Sequence, residues 1–220
     1  MKKILFIALL AVIATINASA QDYDWDVDNL RDNWNKTITV PASQEPIVDK
    51  LLQAWAKEFP FSLVEVYDIY KKTGKTDRQD LFDYKVDYAP KNGFIEVSGL
   101  WWVVAAEDGN FLKGDTIIRN HILQAVYWNL PSGNKLFGVS VRVDGEMMAN
   151  CTVMFYEYNV AKSVLTPRTD ITKKVLGIIG EDQETFVKLP KVGRDLKYHG
   201  FDEKTEKMTD LVIKWNGNGF

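Results

Sequence analysis

Apolar residues follow a helical spacing between residues 43 and 74 and an alternating, strand-like spacing from Leu81 onward. The helical region holds two stripes of apolar residues at intervals of three and four, which predicts two amphipathic helices. These positions are Val48, Leu51, Leu52, Trp55 and Phe59 in the first helix and Leu63, Val66, Tyr67 and Tyr70 in the second. Ser43 can cap the first helix, Pro60 separates the two, and Gly74 can end the second. Because each stripe has to be buried, we expect the helical pair to pack on a sheet formed by the rest of the chain.

The alternation after Leu81 predicts antiparallel strands joined by short turns. Between residues 81 and 98 it gives a β-hairpin around the turn sequence Pro90-Lys91-Asn92-Gly93. Residues 117–130 fit either a helix or a strand, and we favour a strand for their second half. Further predicted strands cover residues 101–106, 136–143, 151–158, 164–166, 185–189, 195–199 and 211–215. The sequence therefore predicts one α+β domain over residues 21–220, with an N-terminal helical pair packed on a curved, mainly antiparallel β-sheet.

The first twenty residues have the pattern of a secretory signal peptide. Two lysines give a positive start, residues 4–14 are apolar, and Ala18-Ser19-Ala20 offers the small residues that a signal peptidase recognises. The apolar stretch is shorter than the roughly 20 residues of a transmembrane helix. We therefore expect cleavage after Ala20, no membrane span, and a mature protein that is periplasmic or secreted.

Composition narrows the range of partners. The chain has 27 basic and 30 acidic residues, and removing residues 1–20 takes away two lysines, which leaves 25 against 30 and a net charge of about −5. A mildly acidic protein does not attract polyanions or anionic lipid, so nucleic acid is not an expected partner. The partners left open are a small molecule, a glycan or a protein of the cell envelope.

The sequence predicts no metal or cofactor site. Cys151 and the only two histidines, His121 and His199, cannot form a dedicated zinc site by themselves. Because Cys151 is the only cysteine and lies in an apolar strand-like segment, we expect no internal disulfide and a buried thiol. The alternating aspartates from Asp22 to Asp28 begin like a calcium loop. The glycine and glutamate that an EF-hand needs later in the loop are missing, which argues against calcium.

Glu157 is the candidate for acid–base catalysis, since it lies between Tyr156 and Tyr158 in a predicted strand. A carboxylate partly buried among aromatic rings has a raised pKa and could act as the general acid of a glycoside hydrolase, which also needs a second carboxylate. The alternative, which the alternation favours, is an outward-facing residue on a half-buried strand. Because the sequence identifies no second carboxylate, we lean towards a protein that is not an enzyme.

Aromatic residues crowd the middle of the chain, and the candidate ligand-binding residues are Trp101, Trp102, Trp128, Tyr156 and Tyr158. Adjacent residues of a strand face opposite sides of a sheet, so Trp101 and Trp102 cannot both enter one core. One of them can then line a groove for sugar rings, peptides or apolar ligands, unless cores on both faces bury the two. We therefore expect an exported, non-enzymatic binding or interaction protein with an aromatic-lined sheet surface. The alternative is a secreted or periplasmic hydrolase of the glycoside type that uses paired carboxylates.

Three segments resemble a family of small exported proteins from gut-dwelling Gram-negative anaerobes. They are residues 127–136 (Tyr-Trp-Asn-Leu-Pro-Ser-Gly-Asn-Lys-Leu), residues 155–159 (Phe-Tyr-Glu-Tyr-Asn) and residues 165–167 (Leu-Thr-Pro), in a region that covers about a fifth of the chain. These are turn and strand sequences. The resemblance implies a shared fold and export, and it carries over no activity and no functional residue.

Overall fold

The computed structural model describes residues 27, 29–76, 82–107, 110–144, 149–180, 185–202 and 204–220, with the backbone alone at residues 82, 101–107, 110–119, 201 and 202. The predicted signal peptide, residues 1–20, and the aspartates from Asp22 to Asp28 lie outside the described residues. Within the described ranges, no helix has the length and apolar character needed to cross a bilayer.

Two helices precede most of the strands in the chain, and a third helix lies among the later strands. Helices α1, α2 and α3 span Ile47–Glu58, Ser62–Thr73 and Thr169–Ile179. The strands are β1 (Ile38–Thr39), β2 (Phe82–Ala89), β3 (Phe94–Glu107), β4 (Asn110–Asn129), β5 (Lys135–Asp144), β6 (Ala149–Asn159), β7 (Val164–Pro167), β8 (Val187–Lys188), β9 (Leu196–Asp202) and β10 (Lys207–Ile213). A helical segment over residues 29–33 precedes β1, and a 3₁₀ turn, Pro90–Asn92, joins β2 to β3.

The ends of α1 and α2 differ in how well the sequence predicts them. Gly74 adopts a left-handed conformation after α2, and its N–H donates to the carbonyl of Tyr70 at 2.7 Å, as a helix-ending glycine should. The prediction that Ser43 caps α1 is wrong. Pro46 occupies the capping position, and the Ser43 hydroxyl accepts the N–H of Glu45 at 3.0 Å instead.

The strands form a seven-stranded sheet in the order β1-β7-β6-β5-β4-β3-β2 and a three-stranded sheet in the order β10-β9-β8. Each described pairing is antiparallel, and from β2 to β7 neighbours in the chain are neighbours in the sheet. The predicted α+β class with a mainly antiparallel sheet is therefore confirmed. Residues 117–129 all belong to β4, so the strand favoured for the second half of that segment is confirmed, and the strand covers the first half too.

The large sheet carries a hydrophobic cluster on each face, because alternate residues of its strands point to opposite sides. On the face that we call the helix face, residues such as Ile95, Leu123 and Tyr156 form one cluster with buried side chains of α1 and α2. On the opposite face, the C-terminal face, Val126, Trp128 and neighbouring residues cluster with α3, the small sheet and residues 215–220. Burial on both faces explains why the central strands are rich in apolar residues at odd and even positions alike.

The sequence predicts the last fifty residues only in part. The sequence predicts strands at residues 185–189, 195–199 and 211–215, and β8, β9 and β10 overlap these ranges with shifted ends. Helix α3 occupies a segment in which the alternation predicts no element. Since α3 covers the C-terminal face, the omission bears directly on where a binding site can form.

Candidate functional site

The predicted aromatic ligand-binding residues are divided between the two faces of the sheet. Tyr156 and Tyr158 lie on the helix face and are 0% and 3% exposed, whereas Trp128 lies on the C-terminal face and is 4% exposed. Trp101 and Trp102 belong to β3, but their side chains lie outside the described part of the chain. The structure therefore does not gather Trp128, Tyr156 and Tyr158 on a single exposed surface.

The two tyrosines make contacts within the core of the helix face. The Tyr156 hydroxyl donates to the carbonyl of Trp34 at 2.7 Å, and the two rings meet edge to face. Burial raises the pKa of Tyr156, so this phenol keeps its proton at physiological pH. The ring of Tyr158 faces the ammonium group of Lys50, 5.4 Å from its centroid. Both side chains thus help to join the sheet to the segments that cover it.

Trp128 belongs to an aromatic cluster at the C-terminal face. Its ring stacks on Trp215 with centroids 5.8 Å apart and an angle of 12° between planes, and it meets Phe220 edge to face. Its indole Nε1 donates to the carbonyl of Arg194 at 3.1 Å. These contacts hold residues 215–220 against the sheet and place Phe220 beside α3.

Glu157 points to the C-terminal face, and its side chain is 30% exposed. One carboxylate oxygen accepts the Asn134 amide at 2.7 Å, and the other accepts Nη1 of Arg168 at 3.2 Å. Arg168 also donates two parallel hydrogen bonds to the carboxylate of Asp170, from Nε at 2.9 Å and from Nη2 at 2.7 Å. One guanidinium group therefore binds two carboxylates, and its hydrogen bonds to Asp170 lower the pKa of that carboxyl group.

Beside Arg168 lies a pocket of about 250 Å³ between the first turns of α3 and residues 216–220. Its lining consists of Arg168, Asp170, Ile171, Lys174, Asn216, Asn218, Gly219 and Phe220. Lys174 follows Asp170 by four residues and Ile171 by three, so both are its neighbours on the surface of α3. Ile171 and Phe220 are buried and form an apolar floor, and charged and amide groups surround it.

Two hydrogen-bonding groups of the pocket lining, and a third beside it, have no partner among the residues that the structure describes. The Asn216 side-chain oxygen accepts the N–H groups of Asn218 and Gly219, both at 3.0 Å, which leaves its NH₂ group. Among the described residues no carboxylate pairs with the ammonium group of Lys174. The indole Nε1 of Trp215, whose ring packs on Phe220, is buried and has no partner in the same part of the chain. Free donors beside an apolar floor are the features of a binding pocket.

A second polar cluster joins α1, α2 and β2 on the helix face. The Asp49 carboxylate is 2% exposed and accepts hydrogen bonds from Tyr67 at 2.6 Å, from Tyr88 at 2.8 Å and from Lys71 at 2.8 Å. Lys71 also binds Glu45 at 3.0 Å and lies over the ring of Tyr88. Here the polar groups satisfy each other, which is typical of a structural network.

The electrostatics of this cluster favour the protonated phenols and the charged lysine. Burial and the Asp49 carboxylate raise the pKa of Tyr67 and of Tyr88. Burial lowers the pKa of Lys71, but its hydrogen bonds to Asp49 and Glu45 raise it overall. At neutral pH Lys71 is therefore a cation held between two carboxylates, and neither phenol can act as a base.

Of the residues at the pocket and its rim, only Glu157 and Trp128 are among those that the sequence singles out. The sequence does contain features typical of a helix at α3. Asp170 is an acidic residue in the first turn, and the apolar Ile171 and Val175 are four residues apart. No spacing rule connects that helix with residues 216–220, because their contact is tertiary. In comparisons with known proteins, no protein-family model, curated protein or solved structure matches this chain.

Proposed function

We propose that this chain is an exported, non-enzymatic binding or interaction protein whose ligand occupies the pocket between α3 and residues 216–220. The observation that carries the proposal is the combination of a buried apolar floor, Ile171 and Phe220, with donors that no described residue uses. Small-ligand sites combine an apolar surface with a few polar groups that fix orientation. The ligand classes are a small molecule, a glycan or a segment of an envelope protein.

The proposal includes three expectations from the sequence. They are export by the signal peptide of residues 1–20, with a periplasmic or secreted mature protein, membership of the exported family that residues 127–136 resemble, and an N-terminal helical pair that forms a layer over a curved sheet. The aromatic residues on the sheet enter the proposal as support for the pocket. Trp128 stacks on Trp215, and both rings contact Phe220.

The direct test is a ligand screen of residues 21–220 by thermal shift with glycans, peptides and lipids. Any hit is repeated with two variants of exposed asparagines. Asn218→Leu places a bulkier apolar side chain at the pocket lining, and Asn35→Leu makes the same change outside the pocket. We expect Asn218→Leu to abolish the shift and Asn35→Leu to leave it unchanged. A hit that survives Asn218→Leu but is lost in Trp101→Ala or Trp102→Ala would move the site to β3 and reject the pocket.

A second candidate function, a glycoside-type hydrolase, is favoured by one observation. Glu157 and Asp170 both bind Arg168, so two carboxylates lie close together beside the pocket. Glycosidases use two carboxylates, one as acid and one as base or nucleophile. The lowered pKa of Asp170 suits the base or nucleophile, which leaves Glu157 as the acid.

The hydrolase is tested by release of reducing sugar from a panel of polysaccharides. Glu157→Gln removes the proposed acid, and Glu58→Gln, an exposed glutamate of α1, is the control. We expect loss of any activity in Glu157→Gln alone. Equal activity in the two variants would dismiss Glu157 as the acid.

A further inference from the structure

We infer that the ligand of the pocket is a single acidic sugar residue, a hexose ring that carries a carboxylate. The inference rests on the proposed function, since it names the class of molecule that the same pocket takes. It follows from the size of the pocket, from the charges that line it and from the kind of hydrogen-bonding group left free in it.

Size limits the ligand first. A volume of about 250 Å³ lies below the usual range of pockets for drug-sized ligands, roughly 300–1,000 Å³. The space suits one pyranose ring or a molecule of similar size. A longer glycan would place one residue in the pocket and the remainder outside it.

Charge selects an anion. Two of the lining residues, Arg168 and Lys174, are cationic, and one, Asp170, is anionic. Arg168 is already engaged by Asp170 and, from outside the lining, by Glu157, so these charges compensate each other. Lys174 lies one turn further along α3, where no described carboxylate pairs with it. Its ammonium group is the charge that a ligand carboxylate would meet.

The uncharged groups select an acceptor-rich molecule with one apolar side. Asn216 has only its NH₂ group left, because its oxygen is used by the backbone of residues 218 and 219. Ligand hydroxyl and carboxylate oxygens accept from such donors. Ile171 and Phe220 offer an apolar surface on which the C–H face of a sugar ring can pack. A hexuronate combines all three properties.

The test is a titration of residues 21–220 with glucuronate and galacturonate, and in parallel with glucose, galactose, acetate and phosphate. The indole N–H resonance of Trp215, assigned with Trp215→Phe, and the backbone resonance of Ile171 report on the pocket, and calorimetry gives Kd. We expect the uronates to shift both resonances and to bind about 10-fold more tightly than the neutral sugars, the effect of one charge-assisted hydrogen bond. Lys174→Gln should remove this preference, so that uronates and neutral sugars bind with similar Kd. Lys173→Gln, an exposed neighbour that does not line the pocket, should keep it.

The other outcomes separate this inference from the proposed function. Equal binding of neutral and acidic sugars at Trp215 and Ile171 would overturn the inference and leave the pocket as the binding site. Acetate or phosphate binding as tightly as the uronates would show an anion site with no selectivity for a sugar and would also overturn it. If no probe shifts either resonance, the inference fails, and the wider screen with Asn218→Leu decides on the proposed function independently.

Discussion

The polar groups on the two faces of the large sheet are used in opposite ways. On the helix face, Asp49 is buried and three donors converge on it, so the network is complete without any other molecule. On the C-terminal face, the pocket beside α3 keeps the ammonium group of Lys174 and the side-chain NH₂ group of Asn216, to which no described residue bonds. Polar groups that are buried and satisfied stabilise a fold, whereas groups left open at an apolar floor can bind a ligand. The comparison separates a network that stabilises the fold from the pocket to which we assign the proposed ligand.

On the C-terminal face, side chains of the large sheet form hydrogen bonds to backbone groups of residues 187–194, in and next to the small sheet. The Ser140 hydroxyl donates to the carbonyl of Val187 at 2.6 Å, and the Gln124 oxygen accepts the N–H of Leu189 at 2.8 Å. Trp128 adds its bond to the carbonyl of Arg194. Because each of these bonds joins residues far apart in the sequence, the position of the small sheet depends on them.

The largest effect is expected from Asp49→Asn on the helix face. The substitution removes the carboxylate charge to which Lys71 and the two phenols donate hydrogen bonds. It should lower the free energy of unfolding by about 3 kcal/mol, as the loss of one partner of a buried ion pair does. Urea denaturation measures the change. Glu58→Gln, on an exposed part of the same helix, should change it by less than about 0.5 kcal/mol. Equal small changes in both variants would show that the network adds little to stability.

Gly93→Ala tests how closely the end of the helix face is packed. Gly93 and Gly133 both lie in turns with positive φ angles of 67° and 85°. A Cβ atom at Gly93 would lie 2.5 Å from the ring of Tyr127, whereas at Gly133 it would meet no described atom within 4 Å apart from its chain neighbours. We expect a loss of about 1 kcal/mol for Gly133→Ala, from backbone strain, and of about 2–3 kcal/mol for Gly93→Ala, where the ring also has to move.

Thermal and urea unfolding of the two glycine variants measure these losses side by side. Similar losses at both positions would mean that Tyr127 moves aside at no cost. The packing at the end of the helix face would then be looser than the structure shows.

Alkaline pH should weaken the helix face selectively. The folded state raises the pKa of Tyr67, Tyr88 and Lys71, so these groups bind protons more strongly in the folded than in the unfolded chain. Their stabilising contribution is fully present below the unfolded pKa, about 10 for tyrosine and lysine, and is lost as the pH rises through the folded pKa. The free energy of unfolding should therefore stay level from pH 7 to about 9.5 and then fall by about 1.4 kcal/mol per pH unit for each such group.

Urea denaturation between pH 7 and 11 follows this dependence. Tyr67→Phe should reduce the slope of the free energy of unfolding against pH by about 1.4 kcal/mol per pH unit, because it removes one of the titrating groups. Asp49→Asn should reduce it too, since the carboxylate contributes to the raised pKa of both phenols. An unchanged slope in both variants would mean that other groups govern alkaline unfolding.

Local patterns in the sequence are enough to predict most of the large sheet. The alternation of Phe82, Tyr84, Val86 and Tyr88 predicts β2, and the turn at Pro90–Asn92 fixes its register with β3. Helix α3 escaped prediction because Ile171, Thr172 and Val175 are β-branched and equally suited to a strand. Here burial against the sheet, which the sequence does not display, decides in favour of the helix.

The candidate site is harder to predict than the fold because it is assembled from distant segments. Glu157 stands out as a carboxylate between tyrosines, yet its partner is Arg168, and that pairing depends on how β6 meets the start of α3. The partners of Asp49 are equally hard to predict, since nothing in the sequence of α1 indicates that Tyr67 and Tyr88 will donate hydrogen bonds to it. Tertiary hydrogen bonds of this kind have no fixed spacing in the sequence.

The smallest effect is expected from Ser140→Ala on the C-terminal face. The loss of the hydroxyl leaves the carbonyl of Val187 without that donor, which should cost about 1 kcal/mol. Ser98→Ala, at a partly buried position on the same face where the hydroxyl has no hydrogen bond to a described residue, should cost less than about 0.5 kcal/mol. Hydrogen exchange then distinguishes two kinds of loss. Faster exchange confined to residues 185–198 would show that the small sheet opens independently of the large one. Uniform acceleration would show that the small sheet unfolds together with the rest of the described fold.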